Sequence, residues 1–158
     1  MSYTDMAEVP GAAGTRQREG GVASMGSTSF SVMCIDDNVL LVDALERRLN
    51  LEAGFDAMYR VDDAATAVQD AVRLKPSVIL LDMDLPGGID AMVLLDEIVA
   101  SVPDSRVLIF TGYPSGDLVR RTMSRGAWGF VSKGTTSDRL IAAIRQVVAG
   151  QAVIELED

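Results

Sequence analysis

Five polar side chains follow short apolar runs in this sequence: Asp36, Asp37, Asp82, Thr111 and Lys133. The runs are apolar at every position, which is typical of strands that are buried on both faces in a parallel sheet. In open sheets of this kind, ligands bind beyond the carboxyl ends of the strands. We therefore expect three carboxylates, one hydroxyl and one ammonium to converge at one edge of the sheet.

The three carboxylates predict a divalent cation site. Negative charges that lie close together are costly unless a cation sits among them, and oxygen ligands without His or Cys favour Mg²⁺. A carboxylate beside such an ion can attack a phosphoryl group and form an aspartyl-phosphate. The Lys133 ammonium and the Thr111 hydroxyl are then expected to hold two phosphoryl oxygens. Any one of these residues alone is better explained as a turn or helix cap, but their joint occurrence at four strand ends favours a site.

The composition excludes several other kinds of chemistry. The 158 residues suit one domain, and the absence of histidine removes His-dependent general bases, nucleophile pairs and metal ligands. The single cysteine, Cys34, excludes a disulfide framework. A formal charge of −9 argues against nucleic acid or an anionic membrane surface as the main ligand.

The sequence also predicts a cytoplasmic protein with no membrane contact. None of its apolar runs approaches the ~18 residues of a membrane span. The first residues lack the basic start and continuous apolar stretch of a secretory signal.

Strands and helices are expected to alternate along the chain. Strands are predicted at four apolar runs, 32–35, 78–81, 107–110 and 128–131, and at a weaker run, 57–61, that suits an edge strand. Stripes of apolar residues at helical spacing predict helices over 38–52, 63–74, 89–102, 115–125 and 137–150. The stripe of the second helix includes Val72. Five such βα units predict an α/β fold, a doubly wound parallel sheet with helices on both faces.

The chain is expected to divide into three segments: an extension, an α/β domain and a tail. Residues 1–29 are rich in small and polar residues without apolar periodicity, which predicts a flexible N-terminal extension. The α/β domain is expected over residues 30–150, and residues 151–158 are expected to form a short acidic tail.

Four motifs resemble the receiver domains of two-component response regulators over roughly residues 30–150. They are Met33-Cys34-Ile35-Asp36-Asp37-Asn38, Leu80-Leu81-Asp82-Met83-Asp84-Leu85-Pro86-Gly87, Phe110-Thr111-Gly112 and Gly126-Ala127-Trp128-Gly129-Phe130-Val131-Ser132-Lys133. Each is moderately specific alone, and their order and spacing together are highly specific. The resemblance implies a flavodoxin-like (βα)5 fold with strand order 2-1-3-4-5.

The resemblance also implies a role for each site residue. It makes Asp82 the phosphoacceptor and makes Asp36 and Asp37 the acidic pair that binds Mg²⁺ together with Asp82. Asp84 would add its backbone carbonyl to the metal. Thr111 and Lys133 would form the switch pair, and Phe130 would be the aromatic residue whose rotamer reports phosphorylation.

As a member of this family the chain would be a phosphoacceptor regulator rather than an enzyme, able to phosphorylate itself from small phosphodonors and to lose the phosphate again. A sensor histidine kinase or a histidine phosphotransfer protein would supply the phosphoryl group. Phosphorylation would change the face formed by the fourth helix, fifth strand and fifth helix, and so change its preference for a protein partner or a second copy in a homodimer.

The end of the sequence most resembles receivers of regulators that carry a C-terminal helix-turn-helix. Eight residues follow Gly150, so we expect no direct binding of nucleic acid by this chain. A receiver that acts alone and a fragment of a longer regulator both stay open.

A phosphohydrolase of the haloacid dehalogenase type is the alternative, since Asp82-Met83-Asp84 resembles its nucleophile motif. In that family the nucleophile precedes the acidic pair, whereas here Asp36 and Asp37 come first.

The lifetime of the phosphate is a further expectation. Asp84 lies two residues after Asp82, and Tyr113 lies two residues after Thr111. Both are expected to flank the path of attacking water, so that the bulk of Tyr113 slows dephosphorylation.

Overall fold

The computed structural model describes residues 28–156, which form one six-stranded, fully parallel sheet. The strands are β1 (Phe30–Ile35), β2 (Phe55–Val61), β3 (Val78–Leu81), β4 (Arg106–Thr111), β5 (Gly129–Ser132) and β6 (Val153–Glu155). They lie in the order β2-β1-β3-β4-β5-β6. The predicted flavodoxin-like order is therefore confirmed, and β2 is an edge strand as expected.

Five helices connect the strands: α1 (Val39–Leu49), α2 (Ala67–Leu74), α3 (Ala91–Ser101), α4 (Gly116–Ser124) and α5 (Ser137–Val148). A short 3₁₀ turn, Ala64–Thr66, precedes α2. Four helices begin where a side-chain oxygen accepts a backbone N–H of the first turn, at Asn38, Asp90, Ser115 and Thr136. These caps place the helix starts within two residues of the predicted ones.

The sheet separates two apolar layers, as the unbroken apolar runs predicted. Side chains that alternate along β1, β3 and β4 pack either under α1 and α5 or under α2, α3 and α4. Phe130 of β5 belongs to the second layer and has no exposed surface. Val72 of α2, which was expected on the apolar face, is instead 44% exposed, because Ala67 and Ala71 carry the inner face of this short helix.

The sixth strand is the main difference from the prediction. Residues 151–158 were expected to be a tail, but Val153–Glu155 pairs in parallel with β5. Gly150, at φ +86°, ends α5 and turns the chain back towards the sheet. Residues 1–27 of the predicted extension, 1–29, and the last two residues lie outside the described part of the chain. Within residues 28–156, no helix is long and apolar enough to cross a membrane.

Candidate functional site

The carboxyl ends of β1 and β3 bring three carboxylates together. The two strands pair in register, with Ile35 opposite Leu81, and the N–H of Asp82 donates to the Ile35 carbonyl at 3.1 Å. The next residues are Asp36 and Asp82, both 5% exposed, and the exposed Asp37 lies beside Asp36. One carboxylate oxygen from each of the three lies within 4.8 Å of the others.

Lys133 brings a positive charge to this cluster from the end of β5. Its Nζ lies 2.7 Å from Asp36 Oδ2 and 3.5 Å from Asp82 Oδ2. The Lys133 backbone N–H donates to the Thr111 carbonyl at 2.7 Å, which ties the lysine to the end of β4. Since a buried carboxylate without a partner is strongly destabilising, Lys133 lets Asp36 and Asp82 stay close together.

Backbone amides fix the orientation of the two buried carboxylates. Asp36 Oδ1 accepts the N–H of Asn38 at 2.9 Å, and Asp82 Oδ1 accepts the N–H of Asp84 at 3.2 Å. Asp36 Oδ2 is buried and faces the Lys133 ammonium, but no contact of hydrogen-bond geometry reaches it within residues 28–156. Both second oxygens therefore point towards one shared space at the end of the sheet.

The residues present fit a hard divalent cation such as Mg²⁺. Three carboxylates supply oxygen ligands. Asp36 Oδ2 accepts no hydrogen bond within residues 28–156 and so has a lone pair free for a cation. Burial, with the charge of Asp36, raises the pKa of the nearby Cys34 thiol to about 12. Cys34 is therefore neutral at physiological pH and does not compete as a thiolate ligand.

Burial and charge shift the pKa of two site residues. Burial raises the pKa of Asp82 above its ordinary value, and the charges of Asp36 and Asp84 act in the same direction. Burial alone would lower the pKa of Lys133, but the Asp36 and Asp82 carboxylates outweigh it and raise this pKa. At neutral pH the site therefore holds a charged lysine beside a carboxylate whose ionised form is costly.

Thr111 and Phe130 lie next to the cluster but are not part of it. Thr111 ends β4 with no exposed surface, and its Oγ1 accepts the N–H of Tyr113 at 3.3 Å. Phe130 lies three residues before Lys133, inside the apolar layer under α3 and α4. Tyr113 is 78% exposed, and with Asp84 and Thr111 it lines a cavity of about 240 Å³.

Two supporting residues were not predicted from the sequence. Asn38 both caps α1 and donates its backbone N–H to Asp36. Ser132, fully buried at the end of β5, accepts the Gly134 N–H at 3.0 Å and so holds the loop after Lys133. An Asn directly before an apolar helical stripe was an available signal for the first residue, whereas nothing local marks the second.

A parallel sheet with an acidic cluster and a lysine at its carboxyl edge defines a receiver-type α/β domain. Residues 32–145 match the family model of the response regulator receiver domain. The chain therefore belongs to this family of two-component signalling proteins, which supports a phosphoacceptor switch. Membership decides between this class and the dehalogenase-type alternative.

Individual relatives are distant in sequence. The chain is 26% identical over 126 residues to the oxygen regulatory protein NreC of Staphylococcus carnosus, a match that covers 80% of this chain and 58% of NreC. The signal receiver domain described as NarL from Mycobacterium tuberculosis is 26% identical with a TM-score of 0.70, covering 78% of this chain and 99% of that one. A LuxR-family response regulator from Aurantimonas sp. SI85-9A1 shares the fold at 23% identity and a TM-score of 0.74, with 80% and 89% covered.

The raised pKa of Asp82 predicts that Asp82→Asn stabilises the fold at neutral pH, by about 1 kcal/mol. The folded state holds a proton on Asp82 more readily than the unfolded state does, so ionisation of Asp82 reduces stability as pH rises above 3.8, its ordinary pKa. The gain should be larger at pH 7 than at lower pH and should vanish where Asp82 is protonated in both states. Urea unfolding at several pH values measures it.

Asp104→Asn, at an exposed position away from the cluster, is the matched control and should give no gain. A loss of stability in Asp82→Asn at pH 7 would contradict the charge balance described above.

Proposed function

We propose that the chain is a signalling switch in which Asp82 accepts a phosphoryl group from a partner phosphohistidine. The observation that carries the proposal is the buried cluster of Asp36 and Asp82 with Lys133 between them. The cluster places three groups together: a carboxylate nucleophile, carboxylate ligands for a metal ion, and the Lys133 ammonium, which can bind phosphoryl oxygens.

Asp82 is the best placed of the three carboxylates to act as nucleophile. Asp36 is held by a 2.7 Å ion pair with Lys133, whereas Lys133 is 3.5 Å from Asp82. Asp37 is exposed and so lacks the partial desolvation that favours attack on a phosphoryl group. The Asp84 N–H holds one oxygen of Asp82 and leaves Oδ2 towards the shared space.

In the proposed step, an Asp82 oxygen forms a bond to phosphorus while the bond from phosphorus to the imidazole nitrogen breaks. The electron pair of that bond stays on the imidazole nitrogen of the partner, which takes up a proton. Mg²⁺, held by Asp36, Asp37, Asp82 and the backbone carbonyl of Asp84, would neutralise negative charge between the carboxylates and the phosphoryl oxygens. Lys133 and the Thr111 hydroxyl each bind a phosphoryl oxygen.

The partner must supply the histidine, because this sequence contains none. A sensor histidine kinase or a histidine phosphotransfer protein is therefore the proposed donor, and family membership supports such an interaction. The predicted cytoplasmic location and a homodimer that depends on phosphorylation stay predictions.

The response to phosphorylation is proposed to run through Thr111 and Phe130. Thr111 would move towards the phosphoryl group, and its hydrogen bond from the Tyr113 N–H would change. Because Phe130 is already fully buried, its change of rotamer must be accommodated within the layer under α3 and α4. We call the surface formed by α4, the outer edge of β5, and α5 the α4–β5–α5 face, and propose it as the surface that changes partner preference.

Incubation with Mg²⁺ and acetyl phosphate tests the central proposal. The wild-type chain should gain one phosphoryl group, stable in acid and labile in base, because an acyl phosphate forms on Asp82. Intact-mass spectrometry measures the gain. Asp82→Asn should gain none, while Asp104→Asn should behave as wild type. Equal labelling of Asp82→Asn, or no labelling of wild type, would overturn the proposal.

The proposed metal site predicts stabilisation by Mg²⁺ alone. A ligand that binds only the folded state at about 100 times its Kd adds about 2.7 kcal/mol, so the thermal midpoint should rise with Mg²⁺. In Asp37→Asn one exposed ligand is lost without disturbing the Lys133 ion pairs, and the rise should shrink markedly. If Asp37→Asn and Asp104→Asn respond to Mg²⁺ as wild type does, Asp37 is not a ligand.

The cavity beside the site supports a role for Tyr113 in the lifetime of the phosphate. Tyr113 is largely exposed at the rim of the cavity that Asp84 and Thr111 also line. Tyr113→Ala should open a path for water and raise the rate of dephosphorylation about threefold, which corresponds to under 1 kcal/mol of barrier. Loss of the phosphoryl group is followed by mass spectrometry after the donor is removed. An unchanged rate would exclude shielding by this ring.

A further inference from the structure

The unexpected strand β6 covers part of the proposed partner surface. It pairs with β5 along its outer edge, with Gly129 opposite Val153, Phe130 opposite Ile154 and Val131 opposite Glu155. This is the edge that lies between α4 and α5 in the α4–β5–α5 face. A partner that contacts this edge of β5 must therefore displace β6.

Residues just before and within β5 form the surface against which β6 packs. A Cβ on Gly129 would lie 2.5 Å from Leu108 Cδ1, 2.8 Å from Val153 Cγ1 and 3.0 Å from the Val153 carbonyl oxygen, so glycine lets both the Leu108 side chain and β6 approach this closely. The Trp128 carbonyl accepts the Val153 N–H at 3.2 Å. Trp128 and Val153 both pack against the apolar layer under α1 and α5, which gives β6 a defined position.

An ion pair joins the far end of β6 to α5. Arg139 Nη1 donates to Glu155 Oε1 at 2.9 Å, and both side chains are partly exposed. Ion pairs of this kind contribute little, and Ile154 is 52% exposed. A three-residue strand with so little buried surface belongs to the parts of a protein that open most easily.

The strand β5 connects β6 to the phosphorylation site. On its inner edge β5 pairs with β4, with Thr111 opposite Ser132, and Lys133 follows directly. On its outer edge Phe130 lies opposite Ile154, and neighbours in register point to the same face of a sheet. Because the space beside Gly129 has no room for even a Cβ, a small shift of β5 degrades the fit of β6.

We propose that β6 is an autoinhibitory strand that occupies the β5 edge while Asp82 is unphosphorylated and leaves it on phosphorylation. Release of β6 uncovers the β5 edge of the α4–β5–α5 face for a partner. The inference rests on the proposed function of Asp82. By reciprocity, weakening the attachment of β6 favours the phosphorylated state to the same degree that phosphorylation favours release.

Hydrogen exchange in the full chain tests the release directly. With Mg²⁺ and acetyl phosphate, residues 151–156 should exchange faster in the phosphorylated chain, while β1 and β3 stay protected. Trp128, the sole tryptophan, accepts the Val153 N–H at its carbonyl and packs against the same apolar layer as Val153, so its fluorescence should report the same event as a red shift. Intact mass on the same sample gives the fraction phosphorylated.

The outcomes separate the two proposals. If the chain gains phosphate and residues 151–156 exchange as before, β6 is not autoinhibitory and the phosphoacceptor role stands. If it gains no phosphate, both proposals fail. Faster exchange together with phosphate supports both.

Reciprocity gives a second test with a matched pair of variants. Glu155→Arg removes the ion pair to Arg139 and adds repulsion, whereas Glu97→Arg makes the same charge change at an exposed position of α3. Glu155→Arg should bind the phosphoryl analogue beryllofluoride with Mg²⁺ about fivefold more tightly or better, and Glu97→Arg should bind as wild type. Equal affinity of all three chains, shown to be folded by circular dichroism, would overturn the inference.

Discussion

The balance of charge at the carboxyl edge of the sheet is the constraint on which the site depends. Three carboxylates are held within 4.8 Å of one another, and one ammonium, that of Lys133, contacts two of them. The cluster therefore keeps an excess of negative charge in a partly buried place, where each ionised group is costly. A divalent cation bound here, as in the proposed function, would relieve this cost.

The fold supplies this balance through the order of its strands. Asp36 and Asp82 come from adjacent strands, β1 and β3, but Lys133 comes from β5, on the far side of β4. The lysine side chain reaches back past the Phe110 ring of β4, with Nζ 5.6 Å from its centre. The hydrogen bond from its backbone N–H to the Thr111 carbonyl fixes the position of the lysine backbone. A movement at the end of β4 or β5 therefore alters the neutralisation of charge at the ends of β1 and β3.

Much of this arrangement could be predicted from the sequence because strand ends in a parallel sheet share one edge. Unbroken apolar runs located β1, β3 and β4, and the residues after them located Asp36 and Asp82. The prediction that Val72 lies on the buried face of α2 was wrong, because a two-turn helix has too few residues for its apolar stripe to be identified unambiguously. The strand β6 was missed because Val153–Glu155 has only three residues, is acidic at one end and becomes a strand by pairing with β5. Such pairing is tertiary, and local pattern does not contain it.

The position of β6 changes what the surface of this receiver can do. The four residues of β5 lead directly into Lys133 at one end, hold the buried Phe130 in the middle and begin with Gly129, which packs against β6, at the other end. Because β5 has only four residues, a displacement of one end moves the whole strand. The same residues must therefore satisfy the charge balance at Lys133 and the close packing at Gly129. Because interiors pack densely and deform in discrete steps, a shift of β5 that alters the ion pairs of Lys133 also alters the packing of β6 against Gly129. No separate chain of residues between the site and the surface is needed.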